Sequence, residues 1–222
     1  MTLVLYYRPL ASYRHKVLIA LYERGVPFEA RYVDLGDPNS ATELNEAWPV
    51  GKIPVLKDGA RIVPETSVQI EYLDRKRGGA AMIPADPEAA LEARLWDRFF
   101  DNYVMTPMSK IVTDRIRPDG KGDAHGVEEA RALLRMAYGV ADKHLATRQW
   151  VAGGAFGLAD CAAEPALFYA ECVEPFSGGY PNLARYFDRL FARPSVQRVT
   201  EEARPFFKFF PYREAMPARL LG

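Results

Sequence analysis

The sequence of 222 residues predicts an α/β domain followed by an all-helical domain. Strand and helix signals alternate over residues 1–79, whereas apolar residues beyond residue 86 recur only with the 3.6-residue period of helices. Residues 80–86 are rich in small residues and proline, a composition typical of interdomain linkers. The predicted domains are therefore residues 1–79 and 87–222, joined by that linker.

The N-terminal elements follow from apolar runs and turn residues. The run Leu3–Tyr7 has the length of a buried strand, and Pro9 ends it. A helix is predicted from Tyr13, with Gly25 as its C-terminal stop. Residues 28–33 form the second predicted strand.

The rest of this domain is predicted as helix, hairpin and helix. Residues 34–48 begin with turn residues and show a weak helical pattern, which Gly51 breaks. Residues 54–56 and 61–63 flank an Asp-Gly step, the turn signal of an antiparallel hairpin. A last helix is predicted over residues 65–76.

The second domain is predicted from helical periodicity. Its first helix carries an apolar stripe at four-residue spacing, formed by Leu91, Leu95, Phe99 and Tyr103. Further helices are predicted over residues 127–145, 158–173 and 183–191, with a short helix from Val196. A loop over residues 114–126, rich in glycine, connects the first two helices.

Charge and cysteine content limit the partners. Lysine and arginine number 29, as do aspartate and glutamate, so we expect no nucleic-acid partner. No stretch approaches the roughly 20 apolar residues of a membrane helix, and no signal peptide is visible. Cys161 and Cys172 form no Cys-x-x-Cys pattern, and His15, His125 and His144 show no ligand spacing. We therefore expect a cytoplasmic protein with no membrane span and no metal.

The first chemical motif is Gly51-Lys52-Ile53-Pro54. A proline that opens a strand after a glycine turn leaves the backbone of Ile53 free to pair with an extended peptide. The alternative is that Pro54 only marks the start of the strand.

The second motif is Glu65-Thr66. A hydroxyl and free N–H groups at a helix start bind a carboxylate, and Glu65 can take an ammonium group, so the pair suits an amino-acid head group. The alternative is ordinary helix capping.

The third motif is the loop between the first strand and the first helix, which contains Ser12. Its hydroxyl can donate to an anion held at the positive end of the helix dipole. Alternatively, Ser12 is an N-cap residue, and Tyr6 and Tyr7 are strand residues.

These motifs, in this order and ahead of a helical domain, resemble the soluble glutathione transferase superfamily. The resemblance covers residues 3–203 and implies a thioredoxin-like N-terminal domain, an all-helical C-terminal domain and a homodimer. Glutathione is the implied co-substrate, and a small hydrophobic electrophile is the implied partner. The resemblance is to bacterial-like members with beta-, zeta- and theta-like features, so the class stays open.

The resemblance implies roles for the first two motifs. Pro54 would follow a cis peptide bond, Ile53 would pair with the cysteinyl part of glutathione, and Lys52 would approach the glycyl end. Glu65 and Thr66 would hold the γ-glutamyl group, with threonine replacing the commoner serine.

In the second domain, Gly157-Leu158-Ala159-Asp160 resembles the family's Ser/Thr-x-x-Asp capping box. Glycine at the first position usually costs only about a few tenths of a kcal/mol, and Asp160 can still reach back. Gly157 and Asp160 are therefore expected to have a structural capping role.

Two alignments place the thiol-activating residue at different positions. Aligned from the helix side, the serine of the serine-type classes falls on Ala11, which has no hydroxyl. Aligned from the strand side, the beta-class cysteine falls on Ser12. Ser12 is the predicted catalytic hydroxyl, and Tyr6, Tyr7 and Tyr13 are alternatives. The absence of cysteine from this loop argues against disulfide exchange.

The predicted function is glutathione transfer. The electrophile is expected between the first loop and the first long helix of the second domain, in contact with Arg8, Leu10, Tyr13, Tyr103, Met108 and Ile111. The aromatic tail, residues 205–212, either covers this pocket or, as we prefer, docks on the helical domain. Alternatives are glutathione-dependent isomerisation or dehalogenation and noncatalytic ligand binding.

Overall fold

The computed structural model describes residues 2–34 and 36–221; residues 1, 35 and 222, which fall within predicted segments, lie outside the described residues. The N-terminal elements are β1 (Leu3–Tyr7), α1 (Ser12–Glu23), β2 (Glu29–Tyr32), α2 (Pro38–Ala47), β3 (Val55–Asp58), β4 (Arg61–Val63) and α3 (Thr66–Lys76). The helices that follow are α4 (Pro87–Phe99), α5 (Thr106–Arg115), α6 (Ala124–His144), α7 (Leu158–Val173), α8 (Pro181–Phe191), α9 (Pro194–Ala203) and α10 (Ala218–Leu221). A π-helical segment, Phe100–Met105, joins α4 to α5.

The four strands form one mixed sheet in the order β2-β1-β3-β4. β1 is parallel to β2, with Leu5 opposite Ala30, and antiparallel to β3, with Leu5 opposite Leu56. β3 and β4 form the predicted hairpin, and Gly59 in its turn has a φ of +62°. The predicted class, a mixed α/β domain followed by helices, is confirmed.

Helix α1 is buried on nearly all sides because it lies between the sheet and the second domain. Residues 14–21 are all buried, and α1 packs against α3 on one side and α7 on the other. Every residue of α7 is buried, so α7 is the central helix of the second domain. A continuous apolar core runs from Leu5 in the sheet to Phe168 in α7 and holds the start of α1 against the helical domain.

The apolar stripe that predicts the first helix of the second domain faces solvent. Leu91 and Leu95 are 61% and 62% exposed, whereas Trp96 and Phe100 of the same helical rod are buried. The core of α4 is thus formed by the opposite side of the helix.

Helix boundaries differ from the predicted ones where a side chain caps the first turn. α6 begins at Ala124, three residues before the predicted start, because the Asp123 carboxylate accepts the N–H of Gly126 at 2.9 Å. Residues 77–86, which include the predicted linker, contain no helix or strand. None of the helices in the described ranges has an apolar stretch long enough to cross a membrane.

Candidate functional site

The segment before β3 presents unpaired backbone. The Ile53–Pro54 peptide bond is cis, as the resemblance implies. Within the described part of the chain, no backbone group bonds the N–H or C=O of Ile53. Lys52, beside it, is exposed. An extended peptide can therefore pair with Ile53 as an added strand would.

A buried amide on α3 holds this segment in place. The Gln69 side chain donates from Nε2 to the Pro54 carbonyl at 2.8 Å and is completely buried. Sequence reasoning missed this residue. The available signal was a polar side chain on the helix face that also carries Ile70 and Leu73, both buried.

The start of α3 leaves its first backbone N–H groups available. Glu65 precedes the helix with φ +64° and ψ 117°, and within the described residues no side chain caps the helix there. Thr66, the first helical residue, is nearly buried, while Glu65 is exposed. A positive φ in a non-glycine residue costs about 1–3 kcal/mol, and such strained residues cluster at active sites and ligand-binding sites. The geometry suits a bound carboxylate with an ammonium group beside it.

A cavity of about 800 Å³ lies between the loop before α1, helix α5 and the C-terminal tail. Its lining consists mainly of apolar and aromatic side chains with a few hydroxyls: Arg8, Pro9, Leu10, Ala11, Ser12, Tyr32, Ile53, Met108, Ser109, Val112, Thr113, Ile116, Tyr169, Phe206, Phe209, Phe210 and Pro211. Ser12 and Ile53 thus share one cavity.

Of the predicted pocket residues, Arg8, Leu10 and Met108 line this cavity, whereas Tyr13, Tyr103 and Ile111 do not. The reason is helical phase. Ile111 points into the helical core and is almost fully buried. Tyr103 is 48% exposed on the outer surface, where its ring packs on Phe99 at 5.5 Å between centroids.

Helix α5 instead lines the cavity through Ser109, Val112, Thr113 and Ile116. Val112 and Ile116 follow Met108 at four-residue intervals, so these three residues share one face of the helix. The sequence therefore predicted the correct helix and, with Met108, one correct residue. The next residue of this helix face in the cavity wall is Val112, not the predicted Ile111.

Ser12 is the first residue of α1, and the preceding residue, Ala11, has extended backbone angles. No side chain in the described ranges caps this helix start. Ala11 and Ser12 line the cavity, so the start of α1 lies at the cavity with no carboxylate from a cap to compete with a bound anion. Such a helix start favours a negative charge by about 0.3–2 kcal/mol.

The alternative hydroxyls are placed elsewhere. The Tyr6 hydroxyl donates to Oε1 of Glu43 at 2.9 Å, and burial, followed by this bond, raises its pKa. The Tyr7 ring lies 4.6 Å from the Arg14 guanidinium. Burial raises the pKa of Tyr13 to about 12, and the negative charge of Asp101 adds to the effect. None of the three tyrosines is part of the described cavity lining.

Arg14 fixes the loop that carries Ser12. Its guanidinium is buried, donates to the Pro9 carbonyl at 2.7 Å and to Oε2 of Glu202 on α9 at 3.0 Å. The loop is thereby tied to the helix that precedes the tail. Sequence reasoning missed Arg14, because a charged residue in a mostly buried helix shows no periodic signal.

The aromatic tail, residues 205–212, both packs on the helical domain and covers the cavity. Phe207 is buried, and the buried Phe210 ring packs on Tyr169 with centroids 5.2 Å apart. Phe206, Phe209 and Phe210 also line the cavity. The two alternatives for the tail are therefore both realised, because Phe207 and Phe210 are buried while Phe206, Phe209 and Phe210 line the cavity.

The start of α7 is capped by a side chain of the helix itself. The buried Asp160 carboxylate accepts the N–H of Gly157 at 2.9 Å, the N–H of Val151 at 3.1 Å and the hydroxyl of Tyr186 at 2.5 Å. Burial raises the pKa of Asp160 to about 6, although these hydrogen bonds lower it. A Cβ atom on Gly157 would lie 2.6 Å from the carbonyl oxygen of Met82, which explains the missing hydroxyl of the capping box.

Two family profiles match this chain. "Glutathione S-transferase, N-terminal domain" matches residues 5–81, and "Glutathione S-transferase, C-terminal domain" matches residues 104–194. Glutathione S-transferase 3 of Zea mays is 30% identical, over 89% of this chain and 92% of its own length.

Solved structures show the same similarity. A glutathione S-transferase from Methylobacillus flagellatus with glutathione bound has a TM-score of 0.82 and 28% identity, and the match covers 89% of this chain and 98% of that one. A glutathione S-transferase from Methylobacterium radiotolerans, in complex with glutathione sulfonate, has a TM-score of 0.79 and 29% identity, with 90% and 94% covered.

Proposed function

Because this chain belongs to the glutathione S-transferase superfamily and acts as a glutathione transferase, we propose that it binds glutathione extended along Ile53, with the sulfur at the start of α1. One observation carries this proposal. Ile53, whose backbone is unpaired in the described residues, and Ser12 line the same cavity. A tripeptide that pairs with Ile53 through its cysteinyl residue then has its thiol near Ser12.

The two ends of glutathione find charged groups on either side of this backbone. Glu65 takes the ammonium of the γ-glutamyl group, and Thr66 with the free N–H groups of α3 takes its carboxylate. Exposed Lys52 neutralises the glycyl carboxylate. Each contact is a charge-assisted hydrogen bond of about 1.5–3 kcal/mol.

The Ser12 hydroxyl donates a hydrogen bond to the sulfur, and the thiol proton leaves to solvent. Lowering the thiol pKa by two units takes about 2.7 kcal/mol of preferential stabilisation of the thiolate. The hydroxyl supplies about 1.5–3 kcal/mol and the helix start about 0.3–2 kcal/mol, so the two together suffice.

The thiolate then attacks a small hydrophobic electrophile held in the cavity. With an aryl chloride, a sulfur lone pair forms the new carbon–sulfur bond, and chloride leaves with the electron pair of the broken carbon–chlorine bond. Glutathione-dependent dehalogenation shares this step.

Ser12→Ala tests the role of the hydroxyl. We expect the pKa of the bound thiol, followed by thiolate absorbance, to rise by about one to two units, and kcat/KM at neutral pH to fall by about tenfold or more. Ser109→Ala, which removes a hydroxyl from the opposite wall, is the matched control and should leave the thiol pKa unchanged. A wild-type thiol pKa in Ser12→Ala would remove Ser12 from this role.

Retention on immobilised glutathione, followed by an aryl-chloride assay, tests the function as a whole. We expect retention and turnover. Retention without turnover would favour the noncatalytic binder, and failure of retention would contradict the binding mode.

We further propose a homodimer formed through an exposed apolar face on α3 and α4. An ion pair of 3.0 Å between these helices holds them side by side. Their exposed apolar side chains, with Tyr103 of the adjoining π-helical segment, are Val68, Leu91, Leu95 and Tyr103. Soluble monomers rarely leave such a patch uncovered. Sedimentation should show a dimer, and the double variant Leu91→Glu, Leu95→Glu should sediment as a monomer.

A cytoplasmic location and a role in detoxification complete the proposal. Cys161 and Cys172 are buried free thiols, the state in which cytosolic proteins keep cysteine. Cell fractionation is expected to recover the protein with the cytosol. Recovery with membranes or outside the cell would contradict the location.

A further inference from the structure

The cavity that lies next to Ser12 has one charged side chain in its described lining. That residue is Arg8, which lies at the end of β1 and is exposed. No carboxylate of the described residues lies within 4.0 Å of its guanidinium. The groups assigned to the two charged ends of glutathione, Lys52, Glu65 and Thr66, are not in the lining. Arg8 therefore faces the space left for the second substrate.

The opposite side of this space is aromatic. Phe206, Phe209 and Phe210 of the tail line it together with Tyr169 of α7. Phe209 is 67% exposed although its neighbour Phe207 is buried. A large apolar side chain held in solvent at the edge of a cavity is suited to contact with a ligand, and phenyl rings stack with other flat rings.

We propose that the electrophile is an aromatic compound that carries an anionic substituent, such as a carboxylate or sulfonate. Its ring packs against the tail phenylalanines, and its anion pairs with Arg8. The planar guanidinium can bind such a group through two parallel hydrogen bonds, and the apolar walls exclude water from the ring. This inference rests on the proposed function, because it specifies the electrophile of the same site.

The test uses unreactive ligands, so that binding is measured apart from catalysis. Calorimetry compares para-nitrobenzoate with para-nitrobenzamide in the presence of saturating glutathione. The two ligands share ring and shape and differ in the negative charge. We expect wild-type protein to bind the benzoate about two- to fivefold more tightly, the range for an ion pair that solvent still reaches. Added salt should weaken this preference.

Arg8→Gln should abolish the preference and leave the affinity for the benzamide unchanged, and Arg8→Lys should keep part of it. The matched control is Arg185→Gln, which removes an arginine of α8 that is hydrogen-bonded to Asn182 and lies outside the cavity lining. It should keep the full preference.

Three results would overturn the inference. They are equal affinities of wild-type protein for the two ligands, a preference that survives in Arg8→Gln, and a loss in Arg8→Gln of affinity for glutathione instead of the benzoate. The last result would assign Arg8 to the tripeptide. Failure of the proposed function looks different, because the benzoate preference would persist while chloronitrobenzoate and its amide were both left unreacted.

Discussion

The helices of this protein begin in two different ways. At the starts of α2, α4 and α6, the carboxylates of Asp37, Asp86 and Asp123 accept backbone N–H groups. At α1 and α3, the preceding residues are Ala11 and Glu65, and no side chain of the described residues closes the first turn. The starts of α1 and α3 both lie at the candidate site; α9 also begins without a side-chain cap from the described residues.

This difference has an energetic meaning. A missing N-cap costs about 0.5–2 kcal/mol, because the first N–H groups of the helix lack partners. The same groups are then available to an anion, whose binding recovers part of that free energy. The carboxylate of glutathione at α3 and its thiolate at α1 are the anions that we propose.

Adding an N-cap side chain to α1 should remove the difference between its start and the capped starts of α2, α4 and α6. We expect this change to have the largest effect. In Ala11→Asp, the extended backbone of residue 11 (ψ 112°) suits an N-cap, so we expect about 0.5–2 kcal/mol of added stability in urea unfolding. The new carboxylate should repel the thiolate, raise the pKa of the bound thiol and lower kcat/KM by about ten- to a hundredfold.

Ala11→Asn is the matched control, since asparagine caps as well as aspartate without the charge. It should stabilise the fold with a smaller loss of activity. Unchanged activity in Ala11→Asp would show that the open start of α1 has no part in thiolate stabilisation.

The start of α7 is a third kind of helix start, because its cap comes from Asp160 within the helix and not from the residue before it. Restoring the hydroxyl of the capping box with Gly157→Ser should destabilise the protein by about 1–3 kcal/mol, since the new Cβ meets the Met82 carbonyl. Urea unfolding measures the loss. Gly157→Ala should lose a similar amount, because the Cβ is sufficient for the clash. A stability gain in Gly157→Ser would show that residues near Met82 move freely.

The smallest expected effect is a difference in stability between two variants of Glu65, whose φ is +64°. Glu65→Ala and Glu65→Gly both remove the carboxylate, so both should weaken glutathione binding by about tenfold or more. Only glycine adopts this backbone without cost, so Glu65→Gly should be more stable than Glu65→Ala by about 1 kcal/mol. Thermal unfolding without glutathione measures this difference. Equal stabilities would mean that the backbone of residue 65 is not strained.

Features that depend on neighbouring residues could be predicted from the sequence. The bounds of β1 and α7 match the predicted ones, and the hairpin turn lies at the Asp-Gly step. The cis bond before Pro54 is confirmed as well, but it is implied by the family resemblance of a short motif and not by the residues alone. Such features are encoded within a few residues, as apolar periodicity or as turn chemistry.

Features that join distant segments of the chain could not be predicted from the sequence. Gln69 bonds Pro54 across 15 positions, and Arg14 bonds Glu202 across 188. The lining of the cavity depends on which side of α5 turns inward, and on where the tail packs. The orientation of α5 and the position of the tail are determined by packing in the shared core, not by the local secondary-structure propensity of their residues.

From the sequence alone came the order of the elements, the class of fold, and the three motifs around Ser12, Ile53 and Glu65. Tertiary structure decided which residues form the cavity wall, why Gly157 cannot carry a side chain, and that Arg8 lies without an acidic partner in the described residues. The physical reason is the separation along the sequence of the residues that interact. Apolar periodicity and turn chemistry act along the chain, whereas steric fit, charge pairing and hydrogen bonds between distant residues arise only when segments far apart in sequence are packed together.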